Sequence, residues 1–186
     1  MQSKPVTMNY TTLDDSALAE RSRSGDADAF TELYRRYLAP VYRFIFRRVG
    51  GDILAAEDLT SQVFLEVFYG LSRYRERGRF VAWLFTITRR RLADGYRKPK
   101  MDLLEDVHES LLGISDGLEQ HENMARLKQL LATLDEDKRE LLQLRFSAEL
   151  SFADMSAVLG RKEAAVKMSL YRVLDGLRAQ WEAGDE

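Results

Sequence analysis

The stretch LSFADMSAVLGRKEAAVKMSLYRVL, residues 150–174, decides the fold. Ser151, with Asp154 three residues on, is a capping-box variant that opens a short helix. Gly160 stops it, and the turn Gly160-Arg161-Lys162 leads into a longer helix from about Glu163 to Trp181. Met155, Val158 and Leu159 are expected to pack against Val166, Leu170, Val173 and Leu174, which recur at helical spacing. Short helix, tight turn and long helix make a helix-turn-helix. In that motif the second helix lies in the DNA major groove and its first residues reach the base edges. Here those residues are Arg161, Lys162, Glu163, Lys167 and Arg172. Lysine and arginine meet phosphates or guanine, and glutamate accepts from cytosine. A plain helical hairpin with a solvated charged face reads the same way from the turn alone. Residues 151–186 carry a net charge of −1, so this module by itself is expected to bind DNA weakly.

Upstream, helices are predicted over about Met124 to Leu134 and after Asp135, a cap for the residues Leu141, Leu142, Leu144 and Phe146. Before them the charge changes sign. Residues 101–122 contain seven acids and no Lys or Arg, whereas residues 71–100 carry a net charge of +8. Such a step marks a boundary. With Gly113, Gly117 and little periodicity, the acidic stretch reads as a linker with one short helical turn around Leu103 to Leu112. In the basic segment Tyr74, Phe80, Trp83, Phe85 and Tyr96 are interleaved with arginine. Arginine tracks a phosphate backbone and aromatic rings stack on exposed bases, which suits single-stranded or opening DNA. Trp83, Leu84 and Ile87 are also spaced as core residues.

The first part of the chain is helical as well. Gly25-Asp26 reads as a stop and a cap, followed by Phe30, Leu33, Tyr34, Tyr37, Val41, Phe44 and Ile45 at helical spacing. Pro40 should kink or split that run. After Gly50-Gly51, a helix over 53–69 has the apolar stripe Leu59, Val63, Phe64, Val67, Phe68 and Leu71. Glu57 and Asp58 suit the dipole at its start. Together with Ser61 and Gln62 they also suit a polar docking face for a basic or mixed partner helix. The expected architecture is all-α. An extension (1–14) precedes a helical bundle (15–99), an acidic linker (100–122) and a helix-turn-helix domain (123–182).

Composition narrows the function further. Among 186 residues, 45% are hydrophobic and 31% charged, an ordinary globular balance. Cysteine is absent, and both histidines, His108 and His121, fall in the acidic stretch. No Gly-rich phosphate loop and no HExxH motif occur. The expectation is therefore no enzyme, no cofactor and no metal site. No apolar run approaches bilayer length and no secretory pattern opens the chain, so a cytoplasmic protein without membrane insertion is expected. A self-sufficient helix-turn-helix regulator is one alternative. Such regulators usually dimerise, but no heptad seam is visible and a monomer is expected. A pure protein-interaction module is another.

Three blocks in order resemble the extracytoplasmic-function branch of the sigma-70 family, over roughly Leu18 to Arg97 and Met124 to Arg178. Asp28-Ala29-Phe30 through Tyr42 is similar to the opening of that family's first domain. Ala56-Glu57-Asp58-Leu59 through Phe64 resembles its helix that docks on the polymerase clamp. Phe80 to Ile87, followed by Arg89-Arg90-Arg91 and Asp94, resembles its −10-reading region, and residues 150–167 resemble its −35-reading domain. The resemblance implies a transcription initiation factor whose partners are core RNA polymerase and promoter DNA, with an anti-sigma factor as a further candidate. It implies docking through Glu57, Asp58, Leu59, Ser61, Gln62 and Phe64. It implies −10 strand contacts by Arg75, Arg77, Arg79, Arg89, Arg90, Arg91, Asp94 and Arg97, and −35 duplex contacts by Arg161, Lys162, Glu163, Lys167 and Arg172. The acidic linker would lie in the polymerase's basic channels. Two positions depart from the family pattern. Ser61-Gln62 stands where Gln-Glu is frequent, and Ala164 to Ser169 stands where Gly-Thr-Val-Lys-Ser-Arg is usual.

Overall fold

Five side chains set where helices begin. Asp14, Asp26, Asp52, Asp135 and Ser151 each accept a hydrogen bond from the backbone N–H three residues on. Each such cap satisfies one of the orphan amides at a helix start and contributes about 0.5–2 kcal/mol. The resulting structure, a computed structural model, describes residues 9–75, 79–95 and 118–183. Among these residues are eight α-helices and no strand. They are α1 (Asp15–Arg23), α2 (Ala27–Arg48), α3 (Ile53–Gly70), α4 (Phe80–Gly95), α5 (Leu118–Ala132), α6 (Glu136–Leu142), α7 (Phe152–Leu159) and α8 (Glu163–Ala183). A π-helical turn, Gln143–Ser147, extends α6.

Two elements differ from their sequence-based outlines. α2 runs through Pro40 instead of splitting there. An interior proline removes one helical hydrogen bond. Leu33 on one side and Val41, Phe44 and Ile45 on the other are all buried, so packing holds both halves in one helix. α5 starts at Leu118 and ends at Ala132, not at 124 and 134. It reaches back into the acidic stretch. The helical turn expected around Leu103 to Leu112 lies outside the described residues.

In the N-terminal module α1 packs on α2, α2 on α3, and α3 on α4. Phe44 of α2 and Phe85 of α4, both fully buried, meet edge to face with centroids 5.5 Å apart. Truncating such a ring to alanine typically costs about 3–5 kcal/mol. Trp83 packs against Tyr74 at 4.6 Å and Phe80 at 5.8 Å. A Cβ on Gly70 would lie 3.0 Å from the Trp83 ring, so glycine there permits the close approach. Buried Glu32 joins Arg35 and Arg36, and their hydrogen bonds hold its carboxyl below the usual range. Arg36 continues to Asp15 at 3.0 Å, and the Tyr37 hydroxyl also donates to Asp15. Burial and that bond push the Tyr37 hydroxyl's pKa well up. This network fastens α1 to α2.

In the C-terminal module Met155, Val158, Val166, Leu170 and Val173 are buried as the sequence implied, and Leu159 and Leu174 are half-buried. Gly160 turns the chain at φ 64°, where an L side chain would cost about 1–2 kcal/mol. The two modules touch. α4 lies against α7, and α2 lies against the π-helical turn. Leu141, Leu144, Leu150, Met155 and Val158 belong to the same buried cluster as Phe44 and Phe85.

Candidate nucleic-acid and partner interfaces

The outer face of α3 is the first surface. Glu57, Asp58 and Ser61 are exposed and Gln62 is half-buried. Gln62 donates to Asp58 at 2.8 Å, and the Ser61 hydroxyl donates to the Glu57 carbonyl at 2.9 Å. These residues share the face with Leu54 (78% exposed), Leu65 (55%), Phe68 (52%) and Tyr69 (73%). Leu59 and Phe64, expected in the same docking set, are 6% and 5% exposed. They support the face from behind and offer it no atoms of consequence. Phe68 goes the other way, out of the expected core stripe and onto the surface, where Phe30 packs edge to face at 5.0 Å. Sequence reasoning missed Leu54, Leu65 and Tyr69. The signal was present, because positions 54, 58, 61, 65 and 68 form a second helical stripe. It was hidden by an α3 that is apolar on both sides.

The second surface is α4 and the segment before it. Arg75 and Asp94 are exposed, while Arg77 and Arg97 lie outside the described residues. The other four arginines of the expected −10 set are engaged within the protein. Arg89 makes a forked pair with Glu140 of α6, at 2.8 and 3.1 Å, and donates to the Val158 carbonyl of α7 at 3.0 Å. Arg79 donates to the Ala153 carbonyl. Arg90 and Arg91 both pair with Glu66 of α3, the latter at 2.5 Å. Residues 71–100 hold only two acids of their own, but Glu66 and Glu140 arrive from other helices. No local charge count detects that compensation. Trp83 is half-buried among Tyr74, Phe80 and Gly70, which makes it chiefly a packing residue.

Two further arginines join the modules. Arg43 donates to the Ser147 carbonyl at 3.0 Å and pairs with Glu149 at 2.6 Å, and Arg48 pairs with Glu136. Glu149 has φ 57°, the one left-handed non-glycine among the described residues. That conformation costs about 1–2 kcal/mol. Neither Arg43 nor Glu140 carried any sequence signal for this role.

The third surface is the start of α8. Arg161, Lys162, Glu163, Lys167 and Arg172 are all exposed, on or just before the second helix of the motif. Met168 (53% exposed) and Tyr171 (44%) lie among them, and the Lys167 ammonium sits 5.7 Å from the Tyr171 ring centroid. Tyr171 meets Phe152 of α7 at 6.2 Å. Four of these five side chains are cationic, and none of the five is buried by the N-terminal module. Among the described residues no group of His, Asp or Glu is arranged to hold a metal ion. No helix among them is long and apolar enough to cross a membrane.

The model of Sigma-70 region 2 matches residues 33–100, and that of Sigma-70, region 4 matches residues 124–175. The ECF RNA polymerase sigma factor BldN of Streptomyces coelicolor is 36% identical over 164 residues, covering 84% of this chain and 62% of BldN. The chain therefore spans less than two thirds of that relative. The ECF RNA polymerase sigma factor SigD of Mycobacterium tuberculosis is 30% identical over 186 residues, covering 95% of this chain and 87% of SigD. The structure of CnrH in complex with the cytosolic domain of CnrY shares the fold, with a TM-score of 0.68 over 91% of this chain and 97% of that one, at 24% identity. Two family regions in order over most of the chain, and a relative aligned nearly end to end, show that this protein belongs to the sigma-70 family of RNA polymerase sigma factors, in its extracytoplasmic-function branch.

Proposed function

We propose that this chain binds core RNA polymerase through the outer face of α3 and directs it to promoters, reading the −10 element with the α4 region and the −35 element with α8. The observation that carries the reading is the α3 face. Leu54, Leu65, Phe68 and Tyr69 stand in water beside Glu57, Asp58 and Ser61. A mixed apolar and acidic stripe on a rigid helix is what a partner helix with basic and apolar residues would cover.

The division of labour follows the expected order. Residues 15–99 dock and hold the −10 strand, the acidic stretch from 100 up to the start of α5 links, and α5 to α8 hold the −35 duplex. The factor acts in the cytoplasm as a monomer until polymerase takes it up, and it does no chemistry itself. Arg89 and Arg79 must leave Glu140, Val158 and Ala153 before they can hold a DNA strand, so loading requires the modules to part. CnrH was solved bound to the cytosolic domain of CnrY. By that likeness of fold, a protein regulator that keeps the modules together is a fitting additional partner.

Asp58→Arg tests the docking face. It inverts charge at an exposed position and should leave helix content unchanged. Capture of core polymerase by the tagged chain should fall at least tenfold. Undiminished capture by a correctly folded variant would sink the assignment.

A further inference from the structure

Of the exposed cations at the start of α8, Arg161 is held at both ends. Its backbone N–H donates to the Ser156 carbonyl at 3.1 Å, and its own carbonyl accepts from the Ser156 hydroxyl at 2.6 Å. Gly160, in the left-handed conformation, sets the direction in which the residue leaves the turn. The guanidinium then runs along the outside of α8, where Nη2 donates to the Ser169 hydroxyl at 2.7 Å. Ser169 is eight positions on from Arg161 and lies in the second turn of α8, so the side chain runs along the helix instead of standing out into solvent. Ala165, exposed and one turn before Ser169 on the same face, ends in a methyl group and leaves room for it. Arg172 follows Ser169 by three residues.

A guanidinium has five N–H donors, and Ser169 takes one. The remainder keep a planar, two-pronged edge of the kind that matches guanine O6 and N7 in a major groove. Holding a long side chain in place before binding removes much of the entropy lost on contact. We propose that Arg161 is a guanine-reading residue of the −35 contact and that Ser169 is its positioning residue. This rests on the reading that α8 enters the groove, and it assigns a specific base preference and a specific pair to that helix. Ser169 stands where the family pattern has arginine, and Arg161 brings a guanidinium to that position from the turn.

The test uses holoenzyme, the full chain bound to core polymerase, selecting from duplexes randomised over the −35 element. The wild type should enrich guanine at one position. Arg161→Ala should flatten that preference about tenfold or more, in line with the discrimination of one bidentate arginine contact, while preferences at the other positions persist. Ser169→Ala should weaken the same preference severalfold, and Ser169→Thr, which keeps the hydroxyl, should restore it. A uniform loss of affinity across all sequences with Arg161→Ala, or an unchanged guanine preference in either alanine variant, would overturn the proposal. If the wild-type holoenzyme enriches no sequence, promoter reading by α8 fails, and the inference fails with it.

Discussion

Two sets of basic residues in this protein are expected to meet DNA, and they are treated in opposite ways. On α4, Arg89 is clamped by Glu140 and the Val158 carbonyl, and Arg90 and Arg91 share Glu66. At the start of α8, Arg161, Lys162, Lys167 and Arg172 are all exposed, and Arg161 donates to a neutral hydroxyl, that of Ser169, where the α4 arginines meet carboxylates. The contrast follows from what covers each helix. α4 carries Phe80, Leu84, Phe85, Ile87 and Leu92 in the core, and α7 lies against it. Any arginine at the edge of that contact must find an acceptor or lose its hydration unpaired, which is costly. α8 buries Val166, Leu170 and Val173 on one side and meets water on the other. Positive charge in a sequence therefore does not measure positive charge available to a ligand. The acids that pair with α4 come from α3 and α6, up to 51 residues away in the chain.

The largest effect is expected from releasing Arg89. Glu140→Ala removes its carboxylate partner, and Glu140→Gln removes only the charge. Affinity of the free protein for a labelled single-stranded −10 oligonucleotide should rise about tenfold with alanine, since a charge-assisted hydrogen-bond pair of roughly 1.5–3 kcal/mol no longer competes with the strand. Fluorescence anisotropy reads this directly. No gain with either variant would mean that the clamp does not limit strand binding.

A smaller effect is expected from the converse change. With Arg89→Ala in holoenzyme, open-complex formation should fall while −35 protection persists. The salt dependence of strand binding should flatten by a slope of roughly 0.7 for the one lost phosphate contact. Permanganate reactivity of the −10 thymines is the measurement, and undiminished melting would remove Arg89 from the −10 surface.

The smallest effect concerns Glu149. Replacing it with glycine relieves a left-handed backbone but removes the pair with Arg43, whose glutamate is 67% exposed. Exposed pairs contribute about 0–1 kcal/mol. The two changes should nearly cancel, leaving thermal stability within about 1 kcal/mol of wild type. A loss above about 2 kcal/mol would show that Arg43–Glu149 is a principal fastening between the modules.

Much of this was legible in the sequence, for reasons that can be named. Caps at Asp26, Asp135 and Ser151, the stop at Gly160 and the periodic core of the helix-turn-helix are local features, and local features fix helices and short turns. The α8 surface was legible for the same reason, since an exposed helix face needs no distant residue to define it. The α3 surface was half legible. Glu57, Asp58, Ser61 and Gln62 were identifiable by polarity, but Leu59, Phe64 and Phe68 could not be assigned to inside or outside on a helix with apolar residues all round. The pairing of Arg89 with Glu140 was not legible, because it depends on how two modules dock. The replacement of Gly-Thr-Val-Lys-Ser-Arg by Ala164 to Ser169 reads in sequence as a lost arginine. In space Arg161 reaches Ser169 from the preceding turn.

This chain is expected to give core polymerase promoter specificity that neither has alone. The most direct measurement is run-off transcription on genomic fragments by purified core enzyme, with and without the chain. Discrete transcripts that require the chain, together with weak and salt-sensitive binding of promoter duplex by the chain on its own, are the predicted result. Identical transcription with and without it, or tight sequence-specific duplex binding by the chain alone, would contradict the account.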